Sequence, residues 1–237
     1  MRLVIVCGMP AEATVLKAAL PGVTVLSGTA KTDLAACVPA DATHIASAGL
    51  CGGLSPDLRI ADVDVAGLLL DGAGHSVLPD PDWAKAILNA LSATTIRSAG
   101  ENIVTPVWAE RARLCTWYSS GIMDQGDTAR QRAALFSQTG AWAIDDESLA
   151  VAKFAAQRGL RFAIMRAVSD DFSETLPLAA RGTIMNADGS ANIAYLLREI
   201  ASEPLFATLD LAKIAADFNA SLASLQAAAP ALLQALI

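Results

Sequence analysis

The sequence predicts an α/β fold, because short apolar runs alternate along the chain with segments of helical periodicity. The apolar runs are continuous, which is typical of strands that are covered on both faces. Several runs end at glycine or proline, and a helical pattern then begins. No linker, repeat or change of composition divides the chain, so we expect residues 1–237 to form one domain.

The first half of the chain contains three predicted strands. The first, Leu3–Val6, ends at Gly8, and the helix that follows extends to about Leu20. A second helix is predicted after Gly28, within SGTAKTDLAACV. The other two strands begin at Thr43 in THIASAGLCGGL and within ADVDVAGLLL. The order of strand, glycine and helix therefore appears in the first half of the chain.

The middle of the chain and its tail are less regular. Between Asp71 and Gly126 there are several turn signals, with strands predicted near Ile103 and Leu114. The tail, from about 204 to 237, is rich in alanine and leucine and predicts a helix. Its apolar pattern fits a helix that packs on the core, joins a dimer or contacts lipid.

The regular order returns after residue 127. The segment TARQRAALFSQTG predicts a helix that ends at Gly140. A strand at Trp142–Ile144 then leads to a helix that Glu147 begins and Gly159 ends. The apolar segment LRFAIMRAV predicts a buried strand that ends at Ser169 and Asp170.

Composition limits the classes of function. Hydrophobic residues make up 54% of the chain and charged residues 17%, which leaves few charges for a surface and favours a homodimer or higher oligomer, or contact with an apolar partner. The net charge of −7 argues against a nucleic-acid partner. Four cysteines without a C-x-x-C pair, and only two histidines, argue against a zinc site. No signal peptide or membrane span is apparent, so a cytoplasmic protein is expected.

Three acids stand at the ends of three predicted strands. Glu12 follows the first strand, Glu147 follows Trp142–Ile144, and Asp170 ends the LRFAIMRAV strand. Each acid alone could simply cap a helix or favour its positive end. Because ligands of open α/β sheets bind at the carboxyl ends of strands, we expect the three together to line one crevice.

Four segments, in this order and spacing, resemble the purine nucleoside phosphorylase/uridine phosphorylase superfamily: VIVCGMPAEA, ASAGLCGGL, AIDDESLAVA and FAIMRAVSDD. The methylthioadenosine/S-adenosylhomocysteine nucleosidase branch is the most similar. The segment MNADGSANIAYLLREI is similar to hopanoid-associated nucleosidases, whose substrate is adenosylhopane. The resemblance implies a three-layer αβα sandwich with a central mixed, twisted sheet. It also implies a small nucleoside as ligand, with no cofactor.

By position, the resemblance gives the acids catalytic roles. Asp170 matches the general acid that protonates the departing purine, so it has to hold a proton at neutral pH. Burial and nearby acids, Asp171 among them, would favour that proton. Glu12 matches the base that activates the attacking water. Glu147 matches the carboxylate that accepts both ribose hydroxyls, since its two oxygens suit a vicinal diol.

The resemblance also implies a set of substrate-binding positions around these acids. Ser169 supports the Asp170 loop, and Arg166 is either a strand-end ion pair or a catalytic group. Asp146 stands where the nucleosidases have a methionine under the ribose. The remaining positions are Gly8, Gly49, Leu50, Cys51 and Gly52, and the glycines from Gly49 to Gly53 let the backbone approach the substrate.

Water is favoured over phosphate as the nucleophile. The phosphorylases place arginines near GMPAEA and IASAGLCGG, and neither segment here contains one. Phosphorolysis, with phosphate as co-substrate, stays open because a neighbouring subunit could supply an arginine. A catalytically silent nucleoside-binding protein and peripheral contact with a membrane are further alternatives. A dinucleotide-binding enzyme is disfavoured, since GMPAEA is not G-x-G-x-x-G.

Overall fold

A computed structural model describes residues 1–28, 33–71, 73, 75–93, 96–97, 103–104, 114–119, 128–173 and 206–236. Its strands are β1 (Leu3–Cys7), β2 (Thr24–Ser27), β3 (His44–Gly53), β4 (Val63–Asp71), β5 (Ser76–Val77), β6 (Ile96–Arg97), β7 (Ile103–Val104), β8 (Leu114–Ser119), β9 (Ala143–Asp145) and β10 (Arg161–Asp170). Its helices are α1 (Pro10–Ala19), α2 (Leu34–Cys37), α3 (Pro81–Ser92), α4 (Ala129–Thr139), α5 (Ser148–Arg158), α6 (Phe206–Ala228) and α7 (Pro230–Gln234).

A mixed, eight-stranded sheet forms the centre of the fold, and β6 and β7 form a separate pair. β3 pairs with three other strands. β1 and β10 run parallel to it, and β9 pairs with its last two residues in the antiparallel direction. β10 also pairs with β4, which leads through β8 to β9 and so back to β3. The sheet therefore closes through the pairing of β10 with β3, and β1 and β2 extend it beyond β3.

Helices cover both faces of this sheet, so the fold has the three predicted layers. One core joins α1, α3, α6 and α7 to residues such as Ile5 and Met165. The other joins α2 and α5 to the alternate residues of the same strands, such as Val6 and Ile164. Because successive side chains of a strand point to opposite faces, a strand buried on both sides needs an unbroken apolar run. The α/β prediction with a mixed central sheet is confirmed.

Most predicted elements lie within two residues of the observed ones. Gly140 and Gly159 end α4 and α5 in the left-handed conformation, with φ of 65° and 63°. In the middle region, β7 and β8 begin at the two predicted positions. The residues before α2, at 29–32, lie outside the described chain.

The tail helix packs on the sheet. Leu225 and Leu232 are fully buried in the core that contains α1 and α3, and Ser221 donates a hydrogen bond to the carbonyl of Val168 at 2.6 Å. Pro230 begins α7, and one residue, Ala229, separates it from the end of α6. Within the described residues, no helix combines the length and the apolar character needed to cross a membrane.

Candidate active site

The site is built at the ends of β1, β3, β9 and β10. β1 ends at Cys7, and Met9 and Pro10 begin α1, so Glu12 lies in the first helical turn. Glu147 is the N-cap residue of α5, directly after β9. Asp170 is the last residue of β10. The described chain thus brings the three predicted acids to strand ends that share one neighbour, β3.

Glu12 is buried and held by two backbone amides. The Leu50 N–H donates to its Oε1 at 2.7 Å, and the Met9 N–H donates to its Oε2 at 2.8 Å. Burial, reinforced by repulsion from Glu147, raises the pKa of Glu12 to about 7, against the opposing effects of Arg166 and the two amides. A carboxyl group with this pKa is suited to accept a proton at neutral pH.

Arg166 links the acids of the site. Its Nη1 lies 2.9 Å from Oε2 of Glu147, and its Nε lies 3.0 Å from Oδ2 of Asp145. The same guanidinium donates to the Leu50 carbonyl at 2.9 Å and to the Ser47 hydroxyl at 2.7 Å. Burial opposes its charge, but the surrounding carboxylates outweigh burial and raise the pKa of Arg166. We call Glu12, Asp145, Glu147 and Arg166 the acid cluster.

Asp145 orders the start of α5. Its Oδ1 accepts the backbone N–H of Ser148 at 2.8 Å and that of Glu147 at 3.1 Å, and its Oδ2 accepts the Ser148 hydroxyl. The Ser148 hydroxyl in turn lies 3.0 Å from that of Ser47. Burial raises the pKa of Glu147 even though Arg166 opposes the shift. The cluster therefore holds two carboxyl groups whose pKa values are raised.

Two glycines make room for the acids. A Cβ on Gly8 would lie 2.3 Å from Oε1 of Glu147, and a Cβ on Gly49 would lie 2.6 Å from Oε1 of Glu12. Both distances are shorter than any normal contact, so the present positions of the two glutamates require glycine. Gly8 and Gly49, two of the predicted substrate-binding positions, therefore make space for the acids.

Asp170 lies further along the same edge, opposite Gly52 of β3. Gly49 and Gly52 are three residues apart, which corresponds to about 10 Å along a strand. The Ser169 hydroxyl donates to Oδ1 of Asp170 at 2.7 Å and lies 3.2 Å from the Cys51 carbonyl. Oδ2 of Asp170 contacts the guanidinium of Arg132. We call Ser169, Asp170 and Arg132 the Asp170 corner.

The charge environment of Asp170 differs from the expected one. The sequence led us to expect further acids around this carboxylate, but the charged group in contact with it is the cation of Arg132. The role of Asp170 as the general acid stays a prediction.

The sequence matches the model of a known family. A model of the phosphorylase superfamily matches residues 27–200. The chain belongs to the phosphorylase superfamily. This membership confirms the predicted superfamily and the prediction of an enzyme. Among curated protein sequences, none matches the chain significantly.

Superfamily members of known structure share the fold over the whole chain. Futalosine hydrolase of Helicobacter pylori is 15% identical, with a TM-score of 0.59, and covers 100% of this chain and 98% of its own. The methylthioadenosine/S-adenosylhomocysteine nucleosidase of Neisseria meningitidis, solved with methylthio-immucillin-A, is 14% identical, with a TM-score of 0.61. That alignment covers 99% of this chain and 97% of the nucleosidase.

Two predicted positions contribute no side chain to the contacts described above. Asp146 is half-buried, and its neighbour Asp145 is the residue that enters the acid cluster. Cys51 is buried and takes part through its carbonyl, while burial keeps the pKa of its thiol well above the usual range.

Three contributors were missed at the sequence level: Asp145, Ser47 and Arg132. Asp145 ends a strand and stands three residues before the N-terminal turn of a helix, which is a capping signal. Ser47 lies inside an otherwise apolar strand, and such a hydroxyl needs a buried partner. Arg132 has no comparable signal, since arginine on a helix usually faces water.

Proposed function

We propose that this superfamily member hydrolyses the N-glycosidic bond of a purine nucleoside. The observation that carries the proposal is Glu12, a buried carboxyl group with a pKa of about 7, held beside Glu147 and Arg166. Its raised pKa suits a general base, and its place beside a second carboxylate suits the cationic sugar that forms as the bond breaks. The solved nucleosidases of the same fold support this choice of reaction.

The charges of the acid cluster support water as the nucleophile. Arg166 is its only cation, and the guanidinium is already engaged by Asp145, Glu147, Ser47 and the Leu50 carbonyl. Within the acid cluster, a phosphate dianion would meet carboxylates whose one cation, Arg166, already has these partners. A neutral water would meet an acceptor for its proton at Glu12.

In the proposed mechanism, three side chains act on one nucleoside. Glu147 accepts the two ribose hydroxyls and favours the positive charge that develops on the sugar. Glu12 takes a proton from water as its oxygen bonds to the anomeric carbon. As the C–N bond breaks, its electron pair goes to the base, and Asp170 donates a proton to that base. Attack and departure then occur on opposite faces of the sugar, as in inverting glycosidases.

We further propose a bulky apolar 5′ substituent on the substrate, such as that of adenosylhopane. The support is the resemblance of MNADGSANIAYLLREI to hopanoid-associated nucleosidases. Residues 185–200, which carry this segment, lie outside the described chain. A comparison of kcat/KM for adenosylhopane and methylthioadenosine tests this part separately, and a preference for methylthioadenosine would overturn it.

The proposed reaction is tested by product analysis. The purified protein is incubated with methylthioadenosine, adenosine and adenosylhopane, with and without phosphate, and free adenine and the sugar product are separated by chromatography. We expect adenine and the free sugar, with no need for phosphate. A requirement for phosphate, together with a sugar 1-phosphate product, would establish phosphorolysis instead. Binding without release, unchanged in Asp170→Asn, would identify a nucleoside-binding protein.

A further inference from the structure

Arg132 is an arginine that the proposed mechanism does not use. It lies on α4, and only 1% of its surface is exposed. A capping box between Thr128 and Gln131 fixes the start of this helix, so the first turn that carries Arg132 is held in place. On the neighbouring turn, Phe136 packs edge-to-face against Phe172, with ring centroids 6.4 Å apart. The helix is thus attached to the segment that follows Asp170.

The guanidinium of Arg132 faces the segment that carries Asp170. Its Nη2 contacts Oδ2 of Asp170, and its Nη1 donates to the carbonyl of Asp170 at 3.0 Å and to that of Asp171 at 2.7 Å. The Gly53 carbonyl, at the end of β3, lies 3.4 Å from the same nitrogen. Burial of a cation is costly unless such partners surround it. The partners named here lie at or next to the ends of β10 and β3.

Gly52 allows this approach. A Cβ at Gly52 would lie 2.9 Å from Oδ2 of Asp170 and 3.6 Å from Nη2 of Arg132. The side chain that any other residue would add therefore points at the contact between the carboxylate and the guanidinium. Three separate elements, α4, β3 and β10, thus converge on one oxygen atom of the predicted general acid.

We propose that Arg132 is a positioning residue for Asp170, a role that rests on the function proposed above. A guanidinium only donates hydrogen bonds, so the oxygen it contacts, Oδ2, is a poor place for a proton. The proton of the acid form then resides on Oδ1, and in this form the Ser169 hydroxyl donates instead to the Cys51 carbonyl, which lies 3.2 Å away. Arg132 in this way selects which oxygen of Asp170 faces the leaving base as a donor.

The same contact acts after the transfer. As the C–N bond breaks, its electron pair goes to the base, which receives the proton from Oδ1, and Asp170 becomes a carboxylate. Water supplies the group that bonds to the sugar, and its proton goes to Glu12. Arg132 then lies against the new negative charge, where a fixed cation is most effective in a buried site. Exchange with solvent returns a proton to Asp170 and removes one from Glu12.

A double-mutant cycle tests the role. Arg132→Met, Asp170→Asn and the double variant are compared with the wild type by kcat/KM for methylthioadenosine. Arg132→Met alone is expected to lose about 10²-fold, the lower end of general-acid effects. In the Asp170→Asn background the same change is expected to lose little more, because Arg132 acts through the missing carboxyl group. Losses that multiply would overturn the proposal.

Leaving-group dependence gives a second measurement that a purely structural role would not move. Nitrophenolate departs without protonation, so hydrolysis of 4-nitrophenyl β-D-riboside should be nearly unchanged in Arg132→Met. Equal loss with both substrates would overturn the role of Arg132 and leave the proposed hydrolysis intact. A wild-type protein that cleaves neither substrate would instead overturn the proposed function, and this inference with it.

Matched variants guard against misfolding. Arg130→Met changes an exposed arginine on the same helix and should leave both substrates unaffected. Arg132→Lys keeps a buried cation if the methionine variant does not fold, and it should recover part of the activity with methylthioadenosine. A lysine variant that folds and has activity no different from Arg132→Met would argue against positioning by a cation.

Discussion

Glu12 titrates within the range in which such an enzyme is assayed. Its pKa is raised to about 7 by burial and by Glu147, and the proposed base acts only when ionised. We therefore predict that kcat/KM falls as the pH decreases below about 7, by about tenfold per pH unit. Glu12→Gln should lose about 10²-fold or more at pH 8 and should no longer show this decrease.

The control for Glu12 is an acid of the surface. Asp41 is exposed and paired with Arg2, so Asp41→Asn should reproduce the wild-type pH profile. Steady-state rates of adenine release from pH 5 to 9 supply the measurement. A wild-type rate that stays constant between pH 5 and 7 would contradict the assignment of Glu12 as the base.

Arg166 gives a prediction about stability. It is 1% exposed and lies between Asp145 and Glu147, so its removal leaves buried carboxylates without their cation. We expect Arg166→Met to reduce the free energy of unfolding in urea by about 3–5 kcal/mol at pH 8. Because burial raises the pKa of Glu147, protonation of this acid should make the loss smaller at pH 5. Arg2→Met, at an exposed ion pair, should change little.

At the scale of the elements, strand ends and helix ends use glycine for different purposes. Gly8 ends β1 and leaves space for Glu147, whereas Gly159 ends α5 with φ of 63° and has nothing within 4 Å of an added Cβ. Gly8→Ala should therefore displace a flexible carboxylate and lower kcat/KM by about a hundredfold with little loss of stability. Gly159→Ala should cost about 1 kcal/mol of stability and leave activity unchanged.

Kinetics and urea unfolding of the two variants provide the comparison. Gly8→Ala is expected to lose activity and keep its stability, whereas Gly159→Ala is expected to lose stability and keep its activity. If Gly8→Ala were as active as the wild type, Glu147 would not need its present position for the reaction.

The same elements show what could be read from the sequence. Strands buried on both faces leave unbroken apolar runs, and glycine marks where they end, so Glu12, Glu147 and Asp170 could be placed at strand ends. A capping signal was also present but not used. Asp80, directly before Pro81, accepts the N–H of Trp83 and begins α3, a helix that was not predicted.

The remaining parts depend on contacts between distant segments. The closure of the sheet through β10 and β3 leaves no local pattern, because each strand has the same apolar composition whether the sheet is open or closed. The pairing of Arg132 with Asp170 joins residues 38 positions apart and becomes visible only in the folded chain. Asp145 was passed over because the resemblance directed attention to Asp146.

At the scale of the whole molecule, the apolar residues of the tail helix have two alternative uses, which are packing in the core and contact with lipid. Its side chains are described from residue 213, and among them Leu222 and Leu225 are buried in the core shared with α1 and α3. Deletion of a fully buried leucine side chain beyond its Cβ costs about 2–5 kcal/mol. We therefore predict that Leu225→Ala loses that much stability in urea unfolding. Gln226→Ala, exposed on the next position, should stay within about 0.5 kcal/mol of the wild type.

Co-sedimentation with vesicles separates this packing role from contact with lipid. If the helix serves the core, Leu225→Ala is less stable but binds vesicles that contain hopanoids as the wild type does, whether that binding is strong or absent. If its apolar face instead docks on lipid, the variant keeps its stability and binds vesicles less well than the wild type. A stable Leu225→Ala would contradict the three-layer core in which α6 covers β10, because the fully buried Leu225 is one of the side chains that hold the helix there.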